Sequence, residues 1–232
     1  TSSTVIELSA VTTGIGGFVI NGQASYDRSG RSVASAGDVN GDGLADLIVG
    51  AYRSDPASGN NAGRSYVVFG RTDTSAIDLA TIAAGTSNGG FVINGEAAGD
   101  NSGISVASAG DVNGDGLADL IVGAYDSDPT AGTPFAGRSY VVFGKTDTSA
   151  IELAAIAAET SGGGFVINGQ AEGDNSGISV ASAGDVNGDG LADLIVGAYD
   201  SDPASGNNAG RSYVVFGRSA ETAIDLSNIA AG

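Results

Sequence analysis

The sequence predicts an all-β protein: a β-propeller of four-stranded antiparallel blades, with three blades in this chain. One long segment, Ala-Gly-Asp-Val-Asn-Gly-Asp-Gly-Leu-Ala-Asp-Leu-Ile-Val-Gly-Ala-Tyr, begins at Ala36, Ala109 and Ala183, so the chain repeats itself every 73 or 74 residues. Glycine supplies 39 of the 232 residues, which disfavours long helices and favours many turns. The apolar runs of each repeat are short and rich in Val, Ile, Phe and Tyr, as strands are.

Each repeat contains four predicted strands. In the first repeat they span 18–21, 32–36, 46–52 and 64–69, and the first of them ends at an Asn-Gly turn signal. The third and fourth are apolar on both faces, as in a sheet that is covered on both sides. A stack of small sheets, each between two neighbours, supplies that cover and is the propeller arrangement. A β-solenoid is the alternative, but its coils are usually far shorter than 73 residues.

The repeats form one domain over residues 1–232, because no linker separates them. We call residues 17–89 unit one, 90–163 unit two and 164–232 unit three. A shorter Ile-Asp/Glu-Leu segment occurs four times, and we expect the stretch 77–84 to form a short helix or 3₁₀ turn. Most Tyr and Phe residues fall at equivalent repeat positions, which predicts that they form the core between blades. The four short segments begin at Ile6, Ile77, Ile151 and Ile224.

The composition excludes several classes of function. Lys and Arg total 9 against 27 Asp and Glu, which gives a net charge of −18 that repels nucleic acids and anionic membranes. No apolar run approaches the roughly 20 residues of a membrane span. His and Cys are absent, so disulfides, imidazole or thiolate metal sites and a Ser-His-Asp triad are absent too. We therefore expect neither a nucleic-acid partner nor membrane insertion.

A nine-residue loop between the second and third strands of each unit carries the chemistry. It runs from Asp38 to Asp46 in unit one, with the pattern D-x-N-x-D-G-x-x-D, and recurs at 111–119 and 185–193. Side chains at positions one, three and five turn inward, the glycine at six permits the sharp bend, and position seven offers its carbonyl. With the carboxylate at position nine, this all-oxygen nest suits Ca²⁺ better than Mg²⁺ or a soft metal.

Other interpretations of this loop are weaker. An EF-hand needs Glu at position twelve followed by a helix, whereas position twelve here is Val49, inside a predicted strand. A single such loop could also be an ordinary polar turn, because Asp, Asn and Gly favour turns. Three copies bring nine carboxylates into three tight loops, and their mutual repulsion favours bound cations.

The sequence resembles the FG-GAP repeats of the integrin α-subunit propeller and its bacterial relatives over nearly the whole chain. The resemblance rests on 32–34, 37–43, 46–51 and 66–70 and their copies, while Ser29-Gly30 replaces the family's Phe-Gly and Tyr52 replaces a proline. It implies three Ca²⁺ ions per chain, each held by four side chains and one backbone carbonyl. The implied ligands are Asp38, Asn40, Asp42, Leu44 and Asp46; Asp111, Asn113, Asp115, Leu117 and Asp119; and Asp185, Asn187, Asp189, Leu191 and Asp193.

Several further residues are given structural interpretations. Three acids that precede prolines should shape turns: Asp55, Asp128 and Asp202. Three acids in the loops before the second strand should be solvated: Asp27, Asp100 and Asp174. One Arg per unit should pair with nearby acids: Arg64, Arg138 and Arg211. Three residues break the repeat on loops that should share one rim and hint at a ligand surface: Tyr26, Arg53 and Phe135.

The sequence thus predicts a non-enzymatic, calcium-stabilised propeller that serves as an adhesion or protein-binding module of a secreted or cell-surface protein. By the resemblance, partners would bind the rim opposite the calcium loops, at 23–31, 53–63 and their counterparts. A lectin that binds glycans between blades is one alternative. An amplified or engineered scaffold without a ligand of its own is another. Enzymatic acid–base chemistry is disfavoured, because the clustered acids are committed to metal.

Strand counting predicts a homodimer by strand exchange. If each blade takes its fourth strand from the next unit, the third blade lacks one, and the strand within 17–22 has no blade of its own. A three-bladed ring would be smaller than the usual four to eight blades. Two chains that exchange this strand would close a six-bladed ring with two-fold symmetry and six Ca²⁺ ions.

Overall fold

The computed structural model describes residues 7–129, 133–204 and 206–231. Its helices have at most five residues, and within these ranges none has the length and apolar character needed to cross a bilayer. Residues 7–89 form α1 (Leu8–Val11), β1 (Ile20–Asn21), β2 (Ser32–Gly37), β3 (Asp46–Ala51), β4 (Arg64–Val68), β5 (Ile77–Asp78) and α2 (Leu79–Ala83). Unit two forms β6 (Gly90–Asn94), β7 (Ser105–Gly110), β8 (Asp119–Ala124), β9 (Arg138–Val142), β10 (Ile151–Glu152) and α3 (Leu153–Ala157). Unit three forms β11 (Gly164–Asn168), β12 (Ser179–Gly184), β13 (Asp193–Ala198), β14 (Arg211–Val215), β15 (Ile224–Asp225) and α4 (Leu226–Ala230).

Neighbouring units share their blades, as the strand count predicts. Blade one consists of β2, β3 and β4 from unit one and β6 from unit two, all antiparallel, with Phe91 opposite Val67. Blade two is built in the same way from β7, β8, β9 and β11. A fifth strand of two residues pairs in parallel with the outer edge of each of these blades. It is β10 beside β6 in blade one and β15 beside β11 in blade two. The sequence did not predict this fifth strand: in unit one the stretch 77–84 divides into β5 and α2.

The two ends of the series are incomplete. Blade three contains only β12, β13 and β14. At the other end, β1 pairs in parallel with β5 and forms a two-stranded ribbon, as the outer strand pairs of blades one and two do. In the described residues β1 does not pair with β14 and no ring closes. Residue Ile6, which begins the first short repeat, lies outside these residues.

The hydrophobic core is divided among the contacts between successive blades, which we call seams. At the first seam, Ile48, Val67 and Phe91 of blade one pack on Leu120 and Val122 of blade two. The second seam repeats this arrangement between blades two and three. The outer face of blade one is covered by α2 and by the N-terminal segment, whose contacts come from Phe18 and Ile20. Apolar cover on both faces explains the continuous apolar runs of the strands.

The prediction that the repeated aromatics form the core is correct at the seams and wrong on the far face of blade three. Tyr66, Tyr140 and Phe91 are fully buried, whereas Phe216 is 54% exposed. The far face of blade three also exposes Val186, Ile195 and Val214, whose unit-one counterparts Val39, Ile48 and Val67 are completely buried. The difference arises because this face has no neighbouring blade.

A polar contact also crosses each of the two seams, and an equivalent contact joins the N-terminal segment to blade one. Gln23 accepts hydrogen bonds from Arg64 and Tyr66, Glu96 accepts them from Arg138 and Tyr140, and Gln170 accepts them from Arg211 and Tyr213. Of the three arginines expected to pair with acids, Arg138 alone forms an ion pair within the described residues, with Glu96. Because Gln23 follows β1, this contact fixes the N-terminal segment on blade one.

The acids expected to be solvated before the second strand are buried instead. Asp27, Asp100 and Asp174 are 4–6% exposed, and Asp27 accepts a hydrogen bond from Ser54 at 3.2 Å. Burial, and then the nearby charge of Glu96, raise the pKa of Asp100 to about 6. The turn prediction for Asp55, Asp128 and Asp202 is correct, since each accepts a backbone N–H six or seven residues ahead.

Glycines allow the seams to be tight. A Cβ on Gly50 would overlap the carbonyl oxygen of Gly103, and one on Gly123 would overlap that of Gly177. At the equivalent position of blade three, a Cβ on Gly197 would make only ordinary contacts, 3.5 Å from the backbone oxygen of Ser179. Glycine at 50 and 123 is therefore required by the approach of the next unit.

This difference predicts opposite outcomes for one substitution at equivalent positions. Gly123→Ala should lower the free energy of unfolding by about 1–3 kcal/mol or more, because the backbone of unit three must move away. Gly197→Ala should leave it unchanged or slightly raised under conditions where the chain is monomeric. Urea unfolding followed by circular dichroism measures both, and equal losses would contradict the seam geometry.

Candidate calcium loops and the opposite rim

Each candidate calcium loop connects the first two strands of a blade at the same rim. In unit one the register of β2 against β3 shifts between Ser35 and Gly37, so the chain leaves the sheet at this point. Gly41 and Gly43 then adopt φ angles of +76° and +86°, which L-residues with a Cβ rarely adopt. The glycines thus fold nine residues into a compact turn whose side chains face its own backbone.

The first three predicted ligands of unit one turn inward as expected. The Asp38 carboxylate accepts the N–H groups of Gly41 and Gly43 at 2.8 and 2.9 Å, and that of Asp42 at 3.1 Å. The Asn40 side-chain oxygen accepts the Asp42 N–H at 2.9 Å, and Asp42 accepts the N–H of Leu44 at 2.8 Å. These bonds hold oxygen atoms from positions one, three and five inside one turn.

The fourth side chain, Asp46, differs because it is completely buried at the start of β3. Its carboxylate accepts the N–H of Val39 at 2.8 Å and that of Gly70 at 2.7 Å. Burial raises its pKa, the two backbone bonds lower it, and the neighbouring carboxylates of Asp42 and Asp38 raise it further. A cation beside these carboxylates would relieve the repulsion.

Loops two and three repeat this arrangement. Asp111 and Asp185 accept the same three N–H groups as Asp38 does, and Asn113 and Asn187 bond the N–H of the acid two residues ahead. Asp119 is fully buried, and burial together with the charges of Asp115 and Asp111 raises its pKa to about 6. The remaining predicted ligands, Leu117, Asp189, Leu191 and Asp193, occupy the same positions as in unit one.

The loops also take part in the seams. The N–H of Ala118 donates to the Asp38 carbonyl at 3.0 Å, and that of Lys145 donates to the Val39 carbonyl at 2.9 Å. The Ala192 N–H reaches the Asp111 carbonyl in the same way at the next seam. Order in one loop is therefore linked to the position of the following blade.

The oxygen donors of each loop suit a hard cation. In the described residues no three Asp or Glu carboxylates converge on one point, because each turns onto the loop backbone. Each carboxylate nevertheless keeps lone-pair capacity, since Asp38 accepts three N–H bonds and a carboxylate has about four lone-pair sites. The donors of each loop are all hard oxygens, and such a set fits Ca²⁺. They comprise two exposed or half-buried carboxylates, an amide oxygen, a carbonyl and a buried carboxylate.

The opposite rim carries the three residues that break the repeat. Tyr26 is 84% exposed, and Arg53 is exposed as well. The guanidinium carbon of Arg53 lies 5.4 Å from the centre of the Tyr52 ring. Phe135 is half exposed but belongs to the loop at the seam between units two and three. Sequence reasoning missed Arg28 and Arg31, which are also exposed beside Tyr26; comparison of the three units position by position would have identified them.

Comparison with known proteins agrees with the repeat geometry. The family model described as FG-GAP repeat matches residues 29–68, 102–142 and 176–215, which contain strands two to four of each unit. The chain belongs to the FG-GAP repeat family. The predicted family is thereby confirmed.

Related FG-GAP proteins include three integrin α subunits. The chain is 30% identical over 192 residues to integrin alpha-PS2 of Drosophila melanogaster, 32% over 177 to integrin alpha pat-2 of Caenorhabditis elegans, and 29% over 186 to integrin alpha-IIb of Mus musculus. These matches cover 76–80% of this chain and 12–16% of the relatives. The FG-GAP chain therefore corresponds to a small part of each of them.

The ligand assignment predicts the result of removing one central carboxylate. Asp42→Ala should reduce the number of bound Ca²⁺ ions by about one per chain, since one loop holds one ion and the other two loops are unchanged. Isothermal titration calorimetry gives the count. Glu172→Ala, which removes an exposed acid on the opposite rim, is the matched control and should keep the full number. An unchanged count in Asp42→Ala would show that the ligand assignment is wrong.

Proposed function

We propose that this FG-GAP chain is a non-enzymatic, calcium-binding propeller segment that acts as an adhesion or protein-binding module of a secreted or cell-surface protein. The observation that carries the proposal is the repetition of one oxygen-lined loop, with the same inward hydrogen bonds, at the same rim of three blades. The similarity to integrin α subunits supports a role in protein recognition outside the cell. The chain's own chemistry favours binding over catalysis, because its clustered acids lie in these loops.

Calcium would act mainly on stability. Its binding would offset two of the three negative charges in each loop and fix the carbonyls of Asp38 and Val39 that accept bonds from the next unit. Because the folded loops present the oxygens together and the unfolded chain does not, calcium should favour the folded state. Extracellular calcium levels suit modules with Kd values of about 10⁻⁴–10⁻³ M.

Removal and return of calcium test this proposal. Each independent site should contribute about 2.7 kcal/mol at 100 times its Kd, so EGTA should lower Tm and added Ca²⁺ should restore it. Mg²⁺ should substitute poorly, because it requires stricter octahedral geometry. Differential scanning calorimetry measures the shifts. Identical melting curves with EGTA and with Ca²⁺ would overturn the proposed calcium role.

We also infer that two copies of this chain assemble into one six-bladed ring. The bare edge of the three-stranded blade three and the two-stranded β1–β5 ribbon add up to the five strands of a complete blade. By the register of β9 with β11, Phe18 of one copy would face Val214 of the other and Val19 would face Tyr213. The exposed Val186, Ile195 and Phe216 would then be covered. Further repeats of a longer chain would use the same edges.

The outer face of blade one offers a matching surface. A groove of about 380 Å³ lies between β1 and β3 and is lined by Ile20, Val33 and Val49. Val33 is 65% exposed, whereas its counterparts Val106 and Val180 are buried at the internal seams. Contact with blade three of a second copy would therefore bury the same positions that the internal seams bury.

Light scattering after size-exclusion chromatography in Ca²⁺ should give a mass near twice the 22.5 kDa of the chain. Gly197→Ala should shift it to the single-chain mass while the circular dichroism spectrum and calcium count are retained, because the methyl group would meet the Gly30 carbonyl of the second copy. Deletion of residues 1–22 should also weaken the dimer. A monomer at all concentrations, or a mass that keeps growing with concentration, would contradict the closed ring.

A further inference from the structure

We propose that unit one carries a binding site for an acidic protein segment, in which Arg28, Arg31 and Arg53 bind carboxylates and Tyr26 packs against the segment. The inference rests on the proposed role of this chain as a protein-binding module and names the chemistry of the partner. All four side chains are exposed on the rim opposite the calcium loops. We call these four residues the arginine patch.

Backbone contacts hold the patch together. The N–H of Arg53 donates to the Asp27 carbonyl at 3.3 Å, and the N–H of Arg31 donates to the Arg28 carbonyl at 3.2 Å. The side chain of Asp27 is buried and accepts a hydrogen bond from Ser54 at 3.2 Å. The two loops that carry the arginines are therefore joined through both the backbone carbonyl and the side chain of Asp27. The arginine side chains emerge from neighbouring backbone positions.

Units two and three carry different residues at every position of the patch. Where unit one has Arg28 and Arg53, units two and three have an Asn and an Asp that hydrogen bond to each other. Asn101 donates to Asp126 at 2.7 Å, and Asn175 donates to Asp200 at 3.1 Å. Unit one thus replaces an internal amide–carboxylate hydrogen bond by two cations that repel each other. The remaining counterparts are Gly99 and Gly173 for Tyr26, and Ile104 and Ile178 for Arg31.

The replacements are also unfavourable for the backbone. Tyr26 adopts a φ of +70° and Arg28 one of +59°, in the left-handed region. Their counterparts there are Gly99, with φ +89°, and Asn101, with φ +54°, which tolerate this conformation. Unit one keeps the loop shape of the other units while it carries strained residues, and such strain is concentrated at functional sites.

The charge distribution identifies the ligand as anionic. Three of the nine cationic residues of a chain with net charge −18 lie in this patch. In the described residues, the ion pairs involve Arg71, Arg138 and Lys145 and none of the patch arginines. Guanidinium groups form paired hydrogen bonds with carboxylates, and Tyr and Arg are the side chains enriched where binding energy is concentrated.

A short acidic segment fits the patch better than a long polyanion. A nucleic acid or sulfated polysaccharide would extend beyond three arginines onto a surface of strongly negative charge. A segment with one or two carboxylates ends within the patch. In a closed ring the patch would stay accessible at the rim, since Gly99 is exposed and Asn101 and Asp126 are half-buried at the internal seam.

Fluorescence anisotropy with labelled hexaglutamate and hexaglutamine peptides tests the proposal in saturating Ca²⁺. Hexaglutamate should bind, and its affinity should fall between about 20 and about 150 mM NaCl. The variant Arg28→Gln/Arg31→Gln/Arg53→Gln should bind about tenfold more weakly or worse, because the charged hydrogen bonds are lost. The control Arg71→Gln/Lys145→Gln/Arg218→Gln removes the same charge from the calcium rim and should bind hexaglutamate as the parent does.

A second variant separates a binding role from a structural one. Tyr26→Gly/Arg28→Asn/Arg31→Ile/Arg53→Asp introduces the residues that units two and three already carry in the same loop, so it should fold. Its Tm should equal or exceed that of the parent, because the left-handed strain is relieved, while hexaglutamate binding is lost. A patch that merely supports the fold would give a lower Tm.

The remaining outcomes overturn the proposal. Equal binding of hexaglutamate and hexaglutamine, or equal loss in the patch and control variants, would show that the patch has no carboxylate site. Tighter binding of a heparin fragment or single-stranded DNA than of hexaglutamate would show that the partner is a polyanion and not an acidic protein segment. Calcium titration of the same variants reports on the proposed calcium role separately, because the patch lies at the opposite rim.

Discussion

The structure depends on how closely the backbone of one blade approaches the next. At Gly50 and Gly123 no side chain separates the strand from the carbonyl oxygens of Gly103 and Gly177. Apolar side chains on both faces of the third and fourth strands can be buried only if the neighbouring sheet comes this near. The glycines at these positions and the apolar strands are therefore consequences of the same packing, and a blade without a neighbour exposes apolar surface, as blade three does at Ile195.

The candidate calcium loops support this packing from one rim. Their carboxylates lie among backbone N–H groups of the same loop, while the loop carbonyls of Asp38 and Val39 accept bonds from unit two. Burial of the Asp119 carboxylate, and then the nearby charges of Asp115 and Asp111, raise its pKa to about 6. A bound cation would offset that repulsion and stiffen the contact between units. Calcium and seam geometry are thus expected to act together on stability.

The proposed calcium loops and the proposed binding patch lie on opposite rims, and they differ in how closely they follow the repeat. The calcium rim is nearly identical in the three units, as expected for residues that support the fold. The opposite rim departs from the repeat in unit one, where Tyr26 and Arg28 occupy left-handed positions that Gly99 and Asn101 fill elsewhere. A near-perfect repeat makes such departures visible, because the other units show which residues the loop prefers when packing alone decides.

The sequence by itself determined the family, the repeated strands, the sharing of strands between units and the positions of the oxygen donors, because these follow from local patterns that occur three times. Tertiary structure alone decided which polar groups are buried. Asp27 reads as a loop residue, yet the neighbouring loop covers it through Ser54. It also placed Ile151–Glu152 beside β6 and Gln23 on Arg64, contacts between residues more than 40 positions apart. Local sequence cannot specify such pairs, because they form only when distant parts of the chain pack together.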